Sequence, residues 1–554
     1  MNVAHSLGSE KSFFMIVSEV QSSFVQQISC LLIRYRKNAT MSKHQIEPLF
    51  QLVKSMTKSE KRNFKLYANR IGSGKESKFI QVFDSIDKMD TYKEELIFKR
   101  AKDIKTSQLP NLKAHLYKQL LTSLRLTQVN HDITISIREQ IDHAKVLYNK
   151  GLYQQSLRLL EKSKVQAERF ERKLLHLEIV EFEKLIESQY ITKSMETRAD
   201  EITSESEGLN QEMGGTIYFS NMSIRLYALY LKVGYARNDK DLLMVSEFFN
   251  SNIRSVDLAK MSFYEKLYLY QSYVWYYLII QDFLMCYKYA QKWVDLFQQN
   301  PDMISSQCDL YLKALNNVLV ALFYTNHQSK FKKTLKILMN LEHEEYVKAN
   351  SNLSILQQQF SYIHQINESF LEGQFSAGSA IVPKIDSFIE ANKYSLDKHR
   401  NLVFYYKIAC LYFGGGEYRE AIKYLNRIIE EKDTSLRSDI HCFARILNLI
   451  SHYELEHTDH LDYQIRSTYR FLVKMEDLQE VQKYILRFIR RLSGISPDQL
   501  KEEFIKSRRD LMQWVNDPFE KRAFLYLDLI SWLDSKIEKR PVQDVIIEKS
   551  KKNK

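Results

Sequence analysis

Glycine and proline are scarce along this chain, and their scarcity is the strongest constraint on what it can fold into. The 554 residues include only 14 Gly and 7 Pro, about 4% where an average protein has roughly 12%. These two residues interrupt helices, so the sequence predicts helix nearly throughout. The length exceeds one ordinary hydrophobic core, which leaves several domains or a repetitive, elongated architecture. The composition favours the repetitive, elongated architecture.

The overall composition predicts a folded cytoplasmic protein. Hydrophobic residues make up 44% of the chain and charged residues 27%, enough to bury a substantial core. The five cysteines are scattered without Cys-x-x-Cys spacing, so neither a disulfide framework nor a zinc site is indicated. No stretch reaches the roughly 18 apolar residues of a membrane span. The short apolar run near the start is no signal peptide, and residues 1–40 are interpreted as a poorly ordered extension.

The stretch "FGGGEYREAIKYL" at residues 413–425 identifies the repeating unit. An apolar helix precedes the glycines and a second amphipathic helix follows, so Gly414 to Gly416 are interpreted as the corner of a helical hairpin. A phosphate-binding loop would need a preceding strand, wider glycine spacing and a following Lys-Ser/Thr, and this stretch has none of them. Together with the helix before it, in which Ala409 takes the small-residue position, the stretch resembles the tetratricopeptide repeat, or TPR. Leu425 and Asp433 depart from the family pattern.

Similar corners recur along the chain at an interval of roughly 45 residues, longer than the 34 of the family. We place them at Tyr153, Met195, Leu242, Phe283, Phe331, Phe375, Tyr418 and Tyr463. The expected fold is all-α, a TPR-like α-α superhelix of about eight hairpins behind an N-terminal helical cap. The predicted segments are a basic cap at 41–130, the solenoid at 131–490, C-terminal capping helices at 491–545 and a disordered basic tail at 546–554.

The resemblance to TPR proteins implies a binding groove on the inner face of the superhelix. Carried over in register, the inner-face positions fall on Tyr268, Gln271 and Trp275 in one hairpin, and on Tyr406, Cys410 and Phe413 in another. An alternative interpretation of the first group is a central helix buried on most sides. These side chains disfavour a carboxylate clamp and favour an apolar or amphipathic segment as ligand. The groove could equally close on itself or on a second copy of the chain.

The N-terminal block offers a different function. Residues 41–130 contain 18 Lys and Arg against 9 Asp and Glu, so they carry +9 of the chain's net charge of +12. Such a cluster can neutralise phosphates of a nucleic acid. The alternative is an ordinary solvated face, since no helix-turn-helix spacing is evident. The candidate phosphate contacts are Lys61, Arg62, Lys65, Lys113, Lys118 and Arg125.

Catalysis is not indicated by any motif in the sequence. Nucleophile, zinc-protease, kinase and dinucleotide signatures are all missing. Glu456 and His460 have metal-ligand spacing on a helix, but polar residues collect at such a helix end anyway, so no metal and no cofactor are expected. We therefore expect a noncatalytic bacterial scaffold or adaptor that binds protein or peptide, and a nucleic-acid-associated regulator is the alternative.

Overall fold

The computed structural model describes ten stretches of the chain, and all of their regular structure is helical. These are residues 47–70, 78–129, 132–190, 195–393, 395–434, 437–457, 461–475, 478–492, 494–496 and 498–552. Across them there are helices and short 3₁₀ turns but no strand, as the scarcity of glycine and proline predicted. The predicted extension at 1–40 lies outside the described residues. Two compact units divide after Gln128.

The first unit is a small helical bundle. Its helices are α1 (Pro48–Ser55), α2 (Lys58–Arg70), α3 (Lys78–Asp87), α4 (Glu94–Arg100) and α5 (Leu109–Gln128). Helices α1, α2 and α3 supply buried phenylalanines, including Phe50, Phe64 and Phe83, and the long helix α5 adds Leu116 and Leu120. Helix α5 packs on both α2 and α3. The unit therefore has a hydrophobic core of its own.

The second unit begins with nine helices of very unequal length. They are α6 (Ile133–Asn149), α7 (Tyr153–Arg169), α8 (Lys173–Glu187), α9 (Met195–Val233), α10 (Asp239–Asn252), α11 (Phe263–Ile279), α12 (Phe283–Gln299), α13 (Asp302–Ser306) and α14 (Cys308–Tyr324). Helix α9 has 39 residues, which is longer than either helix of a hairpin in a regular repeat of roughly 45 residues. The predicted corners at Tyr153, Met195 and Phe283 are the first residues of α7, α9 and α12.

Fourteen further helices complete the second unit. They are α15 (Gln328–Asn340), α16 (Glu345–Lys348), α17 (Ser351–Glu372), α18 (Phe375–Gly378), α19 (Val382–Ala391), α20 (Lys398–Gly414), α21 (Tyr418–Ile429), α22 (Ser438–Glu454), α23 (Leu461–Lys474), α24 (Glu480–Leu492), α25 (Leu500–Met512), α26 (Arg522–Tyr526), α27 (Leu529–Glu538) and α28 (Val542–Lys552). Helices α18 and α21 begin at the predicted corners Phe375 and Tyr418. The predicted corners Leu242, Phe331 and Tyr463 lie within the first turn of α10, α15 and α23.

Consecutive helices of the second unit pack as pairs, joined by a recurring three-residue corner. The pairs α6–α7, α11–α12, α14–α15 and α20–α21 each pack together. The middle residue of each corner has positive φ, at Gly151, Gln281, Asn326 and Gly416. In the α20–α21 corner the amide of Glu417 donates to the Tyr412 carbonyl at 2.8 Å, a bond that satisfies a carbonyl left free at a helix end. This corner geometry brings the two helices of each pair together.

The triple glycine is a helix corner, as the sequence indicated. Gly416 has φ of 79°, in the left-handed region where glycine carries no steric penalty. Gly414 is the last residue of α20, and a Cβ built there would lie 2.2 Å from the Phe375 ring. Two of the three glycines are therefore required, one by the backbone and one by a close approach of α18.

The C-terminal helices return to earlier parts of the second unit. Helix α27 packs on α25, and α28 packs on α17. Gln328 at the start of α15 donates to the hydroxyl of Ser550 at 2.9 Å. The expected disordered tail from residue 546 differs from the structure, in which these residues continue α28 as far as Lys552. Nowhere in the described part of the chain does a helix combine the length and apolar character needed to cross a bilayer.

Candidate functional site

A short segment before and within α26 is held at the start of another helix. The Asp517 carboxylate accepts hydrogen bonds from the amides of Phe519 and Glu520, both at 2.9 Å, and forms a tight turn. The Glu520 carboxylate in turn accepts from the amides of Glu480 and Val481 at 2.8 and 2.9 Å. Those amides open α24, where helical N–H groups have no partner in their own helix. Residues 517–527 are named the C-terminal segment below.

Tyr526 is the main anchor of the C-terminal segment. Its ring stacks on Phe443 of α22, with centroids 4.3 Å apart and planes 12° from parallel. Its hydroxyl donates to the Asp439 carboxylate, and its backbone carbonyl accepts from the Tyr406 hydroxyl at 3.1 Å. The ring also lies 6.0 Å from that of Tyr235. We call this place the Tyr526 site; it joins α20, α22 and the chain after α9.

The floor of the Tyr526 site is a buried ion pair. Arg437 donates to both oxygens of Asp439, at 2.9 Å from Nε to Oδ1 and 2.7 Å from the terminal nitrogen to Oδ2. Burial alone would raise the pKa of the Asp439 carboxyl, but the charge and hydrogen bonds of Arg437 lower it to about 2. Gly234 is required beside this pair, since it has positive φ and a Cβ there would lie 2.8 Å from Asp439 Oδ2. The Asp439 carboxylate is therefore a fixed anionic acceptor for a phenol.

A second cation, Lys407, lies near the site, and it has no carboxylate partner among the described residues. Its Nζ donates to Asn367 Oδ1 at 2.6 Å and lies 5.6 and 5.7 Å from the rings of Phe323 and Phe370. Among the described residues no carboxylate forms an ion pair with it. Burial lowers the pKa of this amine to about 8. Lys407 is thus stabilised by aromatic faces and one amide oxygen.

The structure brings only some of the predicted groove residues to the Tyr526 site. Tyr406 and Cys410 both approach the Tyr526 carbonyl, with Cys410 Sγ at 4.0 Å. Phe413 is buried, with its ring edge-on to Tyr418 at 5.4 Å. Trp275 reaches the site indirectly, through ring contacts with Tyr230 and then Tyr235.

The other two predicted groove residues lie on α11, on the same helix as Trp275. Gln271 is buried and accepts from the Ser223 hydroxyl of α9 at 3.1 Å. Tyr268 is partly buried, with its ring 6.3 Å from Tyr264. Gln271 and Trp275 contact α9, which agrees with the alternative interpretation of a helix buried on most sides.

Sequence reasoning missed the residues that define the site. Asp439, Arg437, Phe443 and Tyr526 belong to no motif, and Tyr526 is 87 residues from its hydrogen-bond partner. Asp439 is the second residue of α22, and because an acidic side chain is ordinary in a first helical turn, the sequence did not signal its burial against a distant partner. Nothing in the sequence identified that partner.

Half of the predicted phosphate contacts are engaged within the first unit. Lys61 pairs with Asp87 and Lys65 with Asp84, both at 2.7 Å, and Lys113 pairs with Glu47 at 3.0 Å. Arg62, Lys118 and Arg125 are exposed. Ion pairing reduces the charge that the first three offer to an external anion.

The metal alternative finds no further support in the structure. Glu456 lies in the corner after α22 with positive φ, and His460 lies outside the described residues. His452 and His457 are in contact, with their Nδ1 atoms 3.0 Å apart. Within the described stretches no group of three His, Cys, Asp or Glu residues could hold a metal ion.

No protein-family model, no curated protein and no solved structure matches the chain.

Proposed function

We propose that the protein is a noncatalytic scaffold in which a TPR-like superhelix of about eight hairpins binds a protein or peptide segment in its inner groove. The Tyr526 site is the part of that groove that carries the proposal. In the free protein the C-terminal segment occupies it, and a partner segment of similar chemistry takes its place. This combines two of the outcomes that the sequence left open, a groove that binds a partner and a groove that closes on itself.

The observation that supports this proposal is the way Tyr526 is bound. An aromatic ring stacks on Phe443, its phenol meets the Asp439 carboxylate, and its backbone carbonyl meets the Tyr406 hydroxyl. A ring in a pocket with polar groups at its edge is typical of hot spots in peptide recognition. The site therefore favours a segment that carries a tyrosine.

Arg522 adds a second feature that a partner would need. It lies one helical turn before Tyr526, and its guanidinium is 5.7 Å from the Phe443 ring. Positions four apart share a helix face, so an Arg-x-x-x-Tyr pattern presents both groups to α22. We expect the partner to be an amphipathic helical segment with this pattern.

A peptide competition experiment tests the proposal. The probe is a fluorescein-labelled peptide of residues 517–529, mixed with the full-length wild type and with the full-length Tyr526→Ala variant. The variant's own segment lacks its anchor, so we expect the peptide to bind the variant at least tenfold more tightly than the wild type. Fluorescence anisotropy measures the affinities, and circular dichroism checks that the variant is folded.

Two controls make the result specific. A peptide with alanine in place of Tyr526 should bind neither protein, and the Tyr463→Ala variant, altered at an exposed tyrosine, should behave as the wild type. Equal affinity of the peptide for the wild type and a folded Tyr526→Ala variant, or no binding to either, would contradict the proposal.

The alternative from the sequence, a regulator that contacts phosphates through its N-terminal block, has less support. Three of its six candidate cations are held in ion pairs inside the first unit. It stays a prediction.

A further inference from the structure

A row of arginines lies on the exposed side of α23 and α24. Helices α23 and α24 pack together, and Asp462 at the start of α23 pairs with Arg490 at the end of α24 at 3.4 Å. The two helices are therefore antiparallel. Arg466 and Arg470 follow Asp462 at intervals of one turn, and Arg487 precedes Arg490 by one turn, so all four arginines share this side. We call these four, with Tyr463 and Tyr469, the arginine face.

Three of these arginines are engaged only weakly by the protein. The Nε atoms of Arg466 and Arg470 each donate to a carbonyl of their own helix at 3.4 Å, and Nε of Arg487 does so at 3.3 Å. Their side chains form no ion pair with a carboxylate of the described residues, and all three are exposed. Neighbouring cations differ, since Lys483 pairs with Glu480 and Arg491 with Glu503. The terminal guanidinium nitrogens of the three arginines are left to solvent or to an external anion.

Large side chains stand among these cations. Tyr463 is 68% exposed and Tyr469 49%, and Val473 of the same helix is 51% exposed. Successive arginines on α23 are separated by about 6 Å along the helix axis. Along the exposed side of α23, tyrosines and arginines thus alternate in the chain order Tyr463, Arg466, Tyr469 and Arg470.

This alternation indicates the class of ligand. Guanidinium groups bind phosphates with two parallel hydrogen bonds, and a line of them follows a phosphate backbone. Exposed tyrosine rings stack on bases, which are accessible only when the strand is unpaired. In a duplex the bases are covered by their neighbours and the rings would have no partner.

We propose that the arginine face binds single-stranded nucleic acid, with the arginines on the phosphates and Tyr463 and Tyr469 stacked on bases. The arginine face shares no residue with the Tyr526 site or with the basic N-terminal block, so the proposal does not depend on the proposed peptide binding.

Fluorescence anisotropy with the full-length protein tests this. The probes are a labelled 20-nucleotide oligouridine, a labelled 20-base-pair DNA duplex and labelled vesicles of phosphatidylserine and phosphatidylcholine, at 50 to 200 mM NaCl. Changing Arg466, Arg470 and Arg487 together to Gln should weaken oligouridine binding at least tenfold and lower the salt slope by about 2. The double variant Tyr463→Ala/Tyr469→Ala should lose at least about thirtyfold in affinity with the salt slope unchanged, since each stacked base contributes about 1–3 kcal/mol.

The matched control is the triple variant Arg138→Gln/Arg158→Gln/Arg225→Gln, which removes the same number of exposed arginines elsewhere in the second unit and should stay within twofold of wild type. Three outcomes would overturn the proposal. They are the absence of salt-dependent oligouridine binding, binding that survives the triple arginine change, and binding of duplex or vesicles that equals oligouridine binding and ignores the tyrosine changes.

Discussion

At the scale of single residues, the second unit holds two buried cations in opposite ways. Arg437 is neutralised by Asp439 through a pair of short hydrogen bonds. Lys407 has an amide oxygen and two aromatic rings instead. A buried cation without a counter-ion favours its neutral form, so the fold disfavours the charge of Lys407 more than that of Arg437.

Lys407 should make thermal stability depend on pH. Because burial lowers the pKa of its amine to about 8 from 10.5, the unfolded chain binds more protons than the folded protein between those two values. Stability from this residue therefore rises as pH rises from 8 towards 10. Lys407→Met removes the effect, so the melting temperature of the variant should exceed that of wild type most at pH 7, and the gap should shrink by pH 9.5.

Differential scanning fluorimetry from pH 7 to 9.5 measures these melting temperatures, and a variant at an exposed lysine is the control. Lys384 is exposed on α19, so the melting temperature of Lys384→Met should depend on pH as that of the wild type does. Cys410 and Arg437 act on Lys407, but neither titrates between pH 7 and 9.5, because burial raises the pKa of the Cys410 thiol to about 12 and an arginine keeps its proton. If the difference in melting temperature between Lys407→Met and wild type is constant from pH 7 to 9.5, the Lys407 amine keeps its proton in the folded protein and the prediction is wrong.

At the scale of helices, the corners explain what the sequence could and could not predict. Phe283 and Tyr418 were placed correctly because a large apolar residue after a polar corner is a local signal. The residue with positive φ was not predictable in the same way, since Gln281 and Asn326 adopt it as well as Gly416. Asparagine adopts this conformation more readily than most residues with a side chain. The side chain of Gln281 has no such preference, and it is held by a hydrogen bond from its amide to the Ala236 carbonyl at 3.3 Å.

The Tyr526 site was harder to predict than the corners for a physical reason. Tyr406 and Cys410 were found because a helix register places them on one face. Their partner Tyr526 is 120 residues further along the chain from Tyr406, and no periodicity links two such positions. A contact of this kind depends on the return of the C-terminal helices, which local propensity does not encode.

The triple glycine offers an element-scale prediction with an internal control. Gly416→Ala should lower the melting temperature, because left-handed backbone costs a residue with Cβ about 1 kcal/mol. Gly414→Ala should lower it further, since the new methyl would lie 2.2 Å from the Phe375 ring and overpacking costs about 1–3 kcal/mol.

Gly415→Ala is the control for that pair. Gly415 has right-handed helical backbone, and the nearest atom to an added Cβ is the Ser376 hydroxyl at 3.3 Å. This variant should therefore melt within a degree or two of wild type, or slightly higher. Equal melting temperatures for all three variants would mean that neither the close approach nor the backbone conformation matters.

At the scale of the whole molecule, the second unit is more than a row of hairpins that touch only their neighbours. The Gln479 side chain donates to the Arg237 carbonyl at 3.0 Å across 242 residues of sequence. The Arg437 amide donates to the Leu231 carbonyl at 3.5 Å. The end of α9 is thus in contact with the start of α22, and the chain just after α9 is in contact with the residue before α24, so stability here is no simple sum over neighbouring repeats.

Tyr526 contacts both of those regions, so its loss should loosen them together. Tyr526→Ala removes a ring from Phe443 and Tyr235 and leaves the buried Asp439 carboxylate short of a donor, which costs about 3–5 kcal/mol locally. Hydrogen–deuterium exchange should therefore accelerate at residues 230–237 and 437–443 in parallel. Tyr526→Phe keeps the ring and should show the same pattern at smaller amplitude, while Tyr463→Ala should leave both regions as in wild type. Faster exchange at 437–443 alone would contradict this coupling, because it would mean that the region after α9 is held by its own neighbours and that the Tyr526 site joins nothing across the chain.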